Sequence, residues 1–121
     1  MARSSASSRI RAEVIRLVAA IPRGRFTTYG SVAAHMNVTP RRVASVLAHL
    51  TDEEAGALPW QRVVAADGRI SRGMEPELAA RQRALLESEG LSFDTKGAIL
   101  DPGRHFHSPG FRRDIDWSDG P

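Results

Sequence analysis

The stretch that most limits what this chain can fold into runs from Thr28 to Leu50, where two short segments flank the tripeptide Asn37-Val38-Thr39. Thr28 offers a capping hydroxyl for a helix from Tyr29 to about Met36. Thr39 caps a second helix, with Pro40 at its first position, where the missing N–H would have had no partner anyway. Val43, Val46, Leu47 and Leu50 then recur at helical spacing, which predicts a helix to about Leu50 with those residues inward. Two short helices around a three-residue turn read as a helix-turn-helix.

The rest of the chain supports that unit. Ile10, Val14, Leu17, Val18 and Ile21 predict an amphipathic helix from about Arg9, ended by Pro22 and Gly24. Met1 to Ser8, small and polar, is expected to be a disordered arm. Thr51 to Leu58 reads as an acidic loop. Val63-Val64 is expected to pair with Arg69-Ile70 in a hairpin across Ala65-Ala66-Asp67-Gly68. A helix from about Glu75 to Glu89 opens at Pro76 and closes at Gly90, with Leu78, Leu85 and Leu86 toward the core. Leu91-Ser92-Phe93 and Ala98-Ile99-Leu100 read as short strands. From Asp101 the composition shifts to Gly, Pro, His, Asp and aromatics, predicting an irregular tail over 101–121 with Phe106, Phe111 and Trp117 partly docked. The expected architecture is one mainly α domain over 9–100 with a small β-hairpin, and 121 residues suffice for one such domain but not two.

The chain contains no cysteine, which excludes disulfides, thiol catalysis and thiolate metal sites together. No apolar run approaches membrane-spanning length and no signal-peptide pattern opens the chain, so no membrane partner is expected and a cytoplasmic, nucleoid-associated protein is. Charge is unevenly distributed. The first fifty residues carry eight arginines against Glu13 alone, a net +7, and the remainder carries nine bases against thirteen acids, a net −4, within a total of +3. That asymmetry fits a polyanion-binding face on the first half, or a solvated arginine-rich surface. His105 and His107 stand two residues apart in the tail, but no further ligands at convincing spacing accompany them, so no metal and no cofactor are expected.

Three motifs occur in order: Ile21-Pro22-Arg23-Gly24-Arg25-Phe26-Thr27-Thr28-Tyr29-Gly30, Pro40-Arg41-Arg42-Val43 and Pro59-Trp60-Gln61-Arg62-Val63-Val64. Together they resemble the O6-alkylguanine-DNA alkyltransferase family over about Arg9 to Phe93, with a tryptophan where that family places its alkyl-accepting cysteine. The pattern is similar to that of the alkyltransferase-like proteins, which bind alkylated guanine without removing the alkyl group. The chemistry agrees, because the transfer needs a thiolate and an indole cannot replace one at neutral pH.

The resemblance implies a winged-helix-like helix-turn-helix DNA-binding domain of the alkyltransferase C-terminal type, lodged in the minor groove. Tyr29, with Thr28 beside it at a helix N-terminus, would press on a backbone phosphate and rotate the target nucleotide out of the stack. Arg41, in a first turn where positive charge gains nothing from the helix dipole, would fill the gap. Arg42 would contact a phosphate or solvent. Ala44, Ser45 and Ala48 would permit close approach to a narrow groove. Trp60 would wall the lesion pocket rather than pack beneath the hairpin, and Gln61 would replace the histidine that helps deprotonate the cysteine. Arg62 would brace the box. The family's glutamate could be Glu87 or Glu89. Ser71-Arg72-Gly73 would close over the base, with Gly73 where related sensors often carry an arginine and Arg72 one residue before it.

The implied function is a monomeric, non-catalytic sensor of O6-alkylguanine in double-stranded DNA that hands the lesion to nucleotide excision repair proteins. Three rivals stand beside it: a helix-turn-helix regulator that reads sequence without lesion preference, a glycosylase using Asp67 or Glu75, and an adaptor whose acidic half docks a repair protein. Neither of those two acids has a visible catalytic partner arrangement.

Overall fold

The computed structural model describes residues 5–117. Ser5 caps the first helix, its hydroxyl accepting the Ser8 N–H at 3.1 Å, so α1 (Ala6–Ala19) starts three residues before the expected Arg9. Ser5 to Ser8 therefore open a helix rather than an arm, because a serine at the cap position satisfies a free N–H. Residues 1–4 of that expected arm lie outside the described residues. Ile10, Val14, Leu17 and Val18 are the buried stripe.

The chain leaves α1 through Ile21 and Pro22 and enters β1 (Thr27–Thr28), followed by α2 (Tyr29–Met36) and α3 (Pro40–Ala48). Thr28 and Thr39 cap these two helices as the sequence implied. Asn37 closes α2 in the left-handed conformation, φ 60° and ψ 46°, which asparagine tolerates better than most residues. α3 stops two residues short of the expected Leu50. Val43 is fully buried, while Val46, Leu47 and Leu50 are half-buried.

The acidic loop is a helix, α4 (Asp52–Ala57). Thr51 accepts the Glu54 N–H and the Glu54 carboxylate accepts the Thr51 N–H, a reciprocal capping box. Arg11 of α1 donates to the same carboxylate, and those hydrogen bonds, that of Arg11 first, hold Glu54 down at about 2.

A single 3₁₀ turn at Trp60–Arg62 leads into β2 (Val63–Val64). β2 pairs with β1 in parallel, Thr27 opposite Val63 and Thr28 opposite Val64. The expected hairpin is thus corrected. Its turn does close, Ala65 N–H donating to the Arg69 carbonyl at 2.8 Å and Gly68 N–H to that of Ala65 at 2.9 Å. Arg69, however, bridges to Ala98 rather than continuing a ladder with β2. The reason lies in burial: both valines are wholly enclosed, the mark of a strand covered on two faces rather than of a half-solvated hairpin arm. Val63 enters the core built by α1, α2 and α3. Val64 enters a second cluster with Phe26, Leu86, Leu91 and Ile99.

α5 (Pro76–Ser88) ends at Gly90, φ 96°, where a left-handed cap favours glycine. Leu86 is buried and Leu85 half-buried, but Leu78, expected inside, is 42 % exposed. The two expected strands beyond it reduce to a tight turn with a single Phe93–Ile99 bridge.

Through Trp117 the tail is irregular apart from the short α6 (Pro102–His105), yet it is tied down; residues 118–121 of the expected tail lie outside the described residues. Phe26 N–H donates to the His105 carbonyl and His107 N–H to that of Phe26, and the Phe26 and Phe106 rings meet edge to face at 5.7 Å. Trp117 packs on the first core, its indole N–H donating to the Met36 carbonyl at 2.7 Å. Phe111, expected to dock, is 94 % exposed: its carbonyl, not its ring, meets the protein, accepting from His35 Nδ1 at 2.7 Å.

Candidate nucleic-acid interface

The two capped helices set out the side chains implied for nucleic-acid contact. Thr28 Oγ1 accepts the Ser31 N–H at 3.0 Å and donates to Ser31 Oγ at 2.9 Å, fixing the start of α2. Tyr29 follows it, half-buried, and burial pushes its phenol up, so the hydroxyl remains a donor at neutral pH. Arg41 and Arg42 occupy the first turn of α3, which holds no acid. Arg42 donates to Ser7 Oγ at 2.6 Å. Within the described residues the Arg41 side chain makes no hydrogen bond or ion pair, and the residue is exposed. Ser45 lies one turn further on, exposed.

The basic first half is mostly engaged at home. Arg11 pairs with Glu54 and Arg16 with Glu13, Arg23 donates to the Ser88 carbonyl, Arg25 to that of Arg104 and Arg9 to that of Trp117. All but Arg16, whose partner lies within α1, staple α1 and the chain after it to later segments. The charge asymmetry therefore narrows to the turn and first turn of α3.

A cleft of about 670 Å³ opens between the helix-turn-helix and α5, within the usual size range for small-ligand sites. Ala44, Leu47 and Ala48 of α3 form one wall, so two of the three small residues expected to permit close approach to a groove also line the cleft. Ala55 and Gly56 of α4 form the next wall, and Trp60, Leu78 and Arg81 the opposite one. Tyr29, Leu50, Asp52, Ser71, Gly73, Met74 and Glu75 complete the lining. No side chain stands within 4 Å of where a Cβ on Gly56 would sit, so this wall has room to spare.

Of the residues expected in the pocket, Tyr29, Trp60, Ser71 and Gly73 converge there. Gln61, Arg62 and Arg72 do not. Arg72 is exposed on the loop. Gln61 and Arg62 sit behind Trp60, bordering a shallower depression, and they point into a polar hub. Gln61 Nε2 donates to Glu89 Oε2 at 2.8 Å; Arg62 donates to both Glu89 oxygens, at 2.8 and 3.2 Å, and to the Ile21 carbonyl at 2.7 Å. Gly24 N–H reaches Glu89 Oε1 at 3.3 Å. Burial pushes the Glu89 carboxyl up, but these donors outweigh it and hold it below the usual carboxylate range. Of the two candidate glutamates, Glu89 is the one inside this hub, whereas Glu87 lies 3.7 Å from the exposed Arg83. Gln82, which sequence reasoning missed, completes the brace by donating to the carbonyls of Gln61 and Val63 at 3.0 and 2.9 Å. Trp60, next to this hub in sequence, is half-buried and lines the cleft. Among the described residues no three His, Asp or Glu side chains cluster as a metal site, and no helix is long and apolar enough to cross a membrane.

Comparison with known proteins gives the arrangement its context. Residues 9–91 match the family described as 6-O-methylguanine DNA methyltransferase, DNA binding domain. The DNA base-flipping protein of Escherichia coli is 43% identical over 88 residues, covering 71% of this chain and 65% of that protein. The chain thus spans just under two thirds of that relative's length. Alkyltransferase-like protein 1 of Schizosaccharomyces pombe is 33% identical over 81 residues, 65% of this chain and 73% of its own. The crystal structure of S. pombe Atl1 in complex with damaged DNA containing O6-carboxymethylguanine superposes with a TM-score of 0.71 at 28% identity, over 84% of this chain and 96% of that one. With Trp60 at the cleft wall and a family match over most of its length, the chain belongs to the 6-O-methylguanine DNA methyltransferase DNA-binding-domain family, as an alkyltransferase-like member.

Proposed function

We propose that this protein is a non-catalytic sensor of O6-alkylguanine in duplex DNA. The carrying observation is Trp60: it walls the cleft from the position where the family places its reacting cysteine, in a chain that has no cysteine. A base flipped from the duplex would enter the cleft and lay its O6 substituent beside the indole and the apolar wall of α3 and α4. Tyr29, at the α2 N-terminus, presses on the neighbouring phosphate, where free helix N–H groups add attraction. Arg41 occupies the vacated place in the stack, offsetting an extrusion cost of about a few kcal/mol by stacking and by donating to the orphaned base. Thr28, Arg42 and Ser45 touch the backbone around it. No alkyl group moves, because no thiolate is present to accept it. The lesion is instead held, marked and passed to nucleotide excision repair, the protein acting as a monomer in the cytoplasm on nucleoid DNA.

The test is a pair of binding curves at one fixed salt concentration, for a short duplex with O6-methylguanine and its unmodified twin. The unaltered protein should prefer the lesion. Arg41→Ala and Trp60→Ala should each lose about tenfold or more of that preference, some 1.4 kcal/mol per tenfold, and the recovered duplex should retain its methyl group. Equal affinity for both duplexes would leave an ordinary DNA-binding domain; loss of the methyl group would make the protein an enzyme. The handover is tested separately, since removing the gene should slow excision of O6-alkylguanine.

A further inference from the structure

The family match ends at Leu91, and the segment from Phe106 to Trp117 lies beyond it. That segment does not wander: it runs as a strap along α2 toward the turn of the helix-turn-helix. Its backbone is fastened to His35 on both sides of Arg112, with His35 Nδ1 donating to the Phe111 carbonyl at 2.7 Å and Arg113 N–H donating to the His35 carbonyl at 2.9 Å. Asn37, the turn residue that closes α2, completes the fastening. Its Oδ1 accepts from Arg112 Nη2 at 2.9 Å and its Nδ2 donates to the Ile115 carbonyl at 3.2 Å. Trp117 anchors the far end on Met36.

The result is a guanidinium held at the turn, four residues in sequence from Arg41. Arg112 is exposed, and the contact with Asn37 engages one of its five N–H donors. Its neighbour Arg113 is differently employed, paired with Glu13 at 3.1 Å. An exposed, pre-oriented guanidinium on the outward side of a helix-turn-helix turn is suited to one ligand chemistry, a phosphate diester, which it can meet with two parallel N–H donors. Because the strap fixes the side chain through Asn37, little rotamer freedom remains to be lost on contact.

We propose that the C-terminal strap extends the DNA-binding surface beyond the family domain, with Arg112 as a backbone-phosphate contact that acts alike on damaged and undamaged duplex. This rests on the reading of the protein as a duplex-DNA binder. Each phosphate contact contributes about 0.9 to the slope of log affinity against log salt. On lowering salt fourfold, the unaltered protein should therefore gain about 3.5-fold more affinity than a variant lacking the contact.

The experiment measures that slope from about 50 to 200 mM salt, on an O6-methylguanine duplex and its unmodified twin, for the unaltered protein, Arg112→Gln and Arg112→Lys. Arg112→Gln should reduce the slope by about 0.9 on both duplexes while leaving the preference between them and the thermal midpoint unchanged. Arg112→Lys should retain the slope. An unchanged slope in Arg112→Gln overturns the proposal, as does an effect confined to the damaged duplex, or an equal loss in Arg112→Lys. If the unaltered protein binds neither duplex, the function proposed above fails first and takes this inference with it.

Discussion

Replacing Glu89 by glutamine should destabilise the fold by about 3 kcal/mol, and the value can be worked from the hub. The Glu89 side chain is 4% exposed and that of Arg62 15%. Removing one member of such a pair strands the other's charge in a poorly solvated place, at a usual cost of about 3–5 kcal/mol. Arg62 keeps the Ile21 carbonyl and some solvent contact, which puts the expectation at the low end. For a chain this long, the entropy of unfolding is about 0.25 kcal/mol/K, so the midpoint should fall by about 12 °C. The double variant Arg62→Met, Glu89→Leu removes both charges and should recover part of the loss. It should not recover all, since the Gln61 and Gly24 donors lose their acceptor at about 1 kcal/mol each. pH gives an independent reading. The Glu89 carboxyl is held below its ordinary value in the fold, so its stabilisation is present above the unfolded value of about 4.3 and is lost as pH falls through the folded one. The unaltered protein should weaken in that acid window more steeply than Glu89→Gln. Urea titration across pH 3 to 7, about the range that brackets the window, reads all three quantities. A loss under about 1 kcal/mol for Glu89→Gln, or a double variant worse than the single, would refute the assignment of a charged hub.

Two further outcomes follow from the same geometry. Trp60→Cys should still leave the methyl group on DNA: a thiol of ordinary pKa near 8.5 is only a few per cent thiolate at neutral pH, and the Gln61 amide already donates to Glu89 and cannot take a proton. Mass spectrometry of the incubated protein checks this, and stoichiometric S-methylation would count against it. Thr51→Ala should cost about 1 kcal/mol by removing the cap of α4, seen as a lower thermal midpoint and, because α4 walls the cleft, a weaker lesion preference.

How far sequence carried the account depends on the residue. Thr28, Thr39 and Pro40 announced both helix starts because caps act over three or four residues, and the structure keeps each one. α4 was announced in the same way, by Thr51 and Glu54 at capping-box spacing, but six residues rich in acid read as loop. The sheet was not legible. A two-residue parallel pair between positions 27 and 63 depends on packing across a long connection, which no local pattern records, whereas the Asp67-Gly68 turn is local and did form. Within the site, motif order drew attention to Trp60 and Tyr29, but could not say that Gln61 and Arg62 turn away from the cleft. That choice depends on Glu89, twenty-seven residues beyond Arg62. Gln82 left no signal, since a glutamine on an ordinary helix face looks solvent-bound until the strand it braces is in place.

The two residues of β2 have a consequence for cooperativity. Val63 belongs to the core of the helix-turn-helix half and Val64 to the core of the α5 half, since neighbours on a strand point to opposite sides. The two halves share this seam and the polar hub beside it. The local helical contacts of the first half can assemble early, while the parallel pair must wait for a connection of more than thirty residues to close. The cleft is built from both halves, so it exists only when the seam is shut. Native-state fluctuations that open the α5 half would erase the cleft and leave the helix-turn-helix standing, so on the proposed function the protein could ride along DNA without inspecting it.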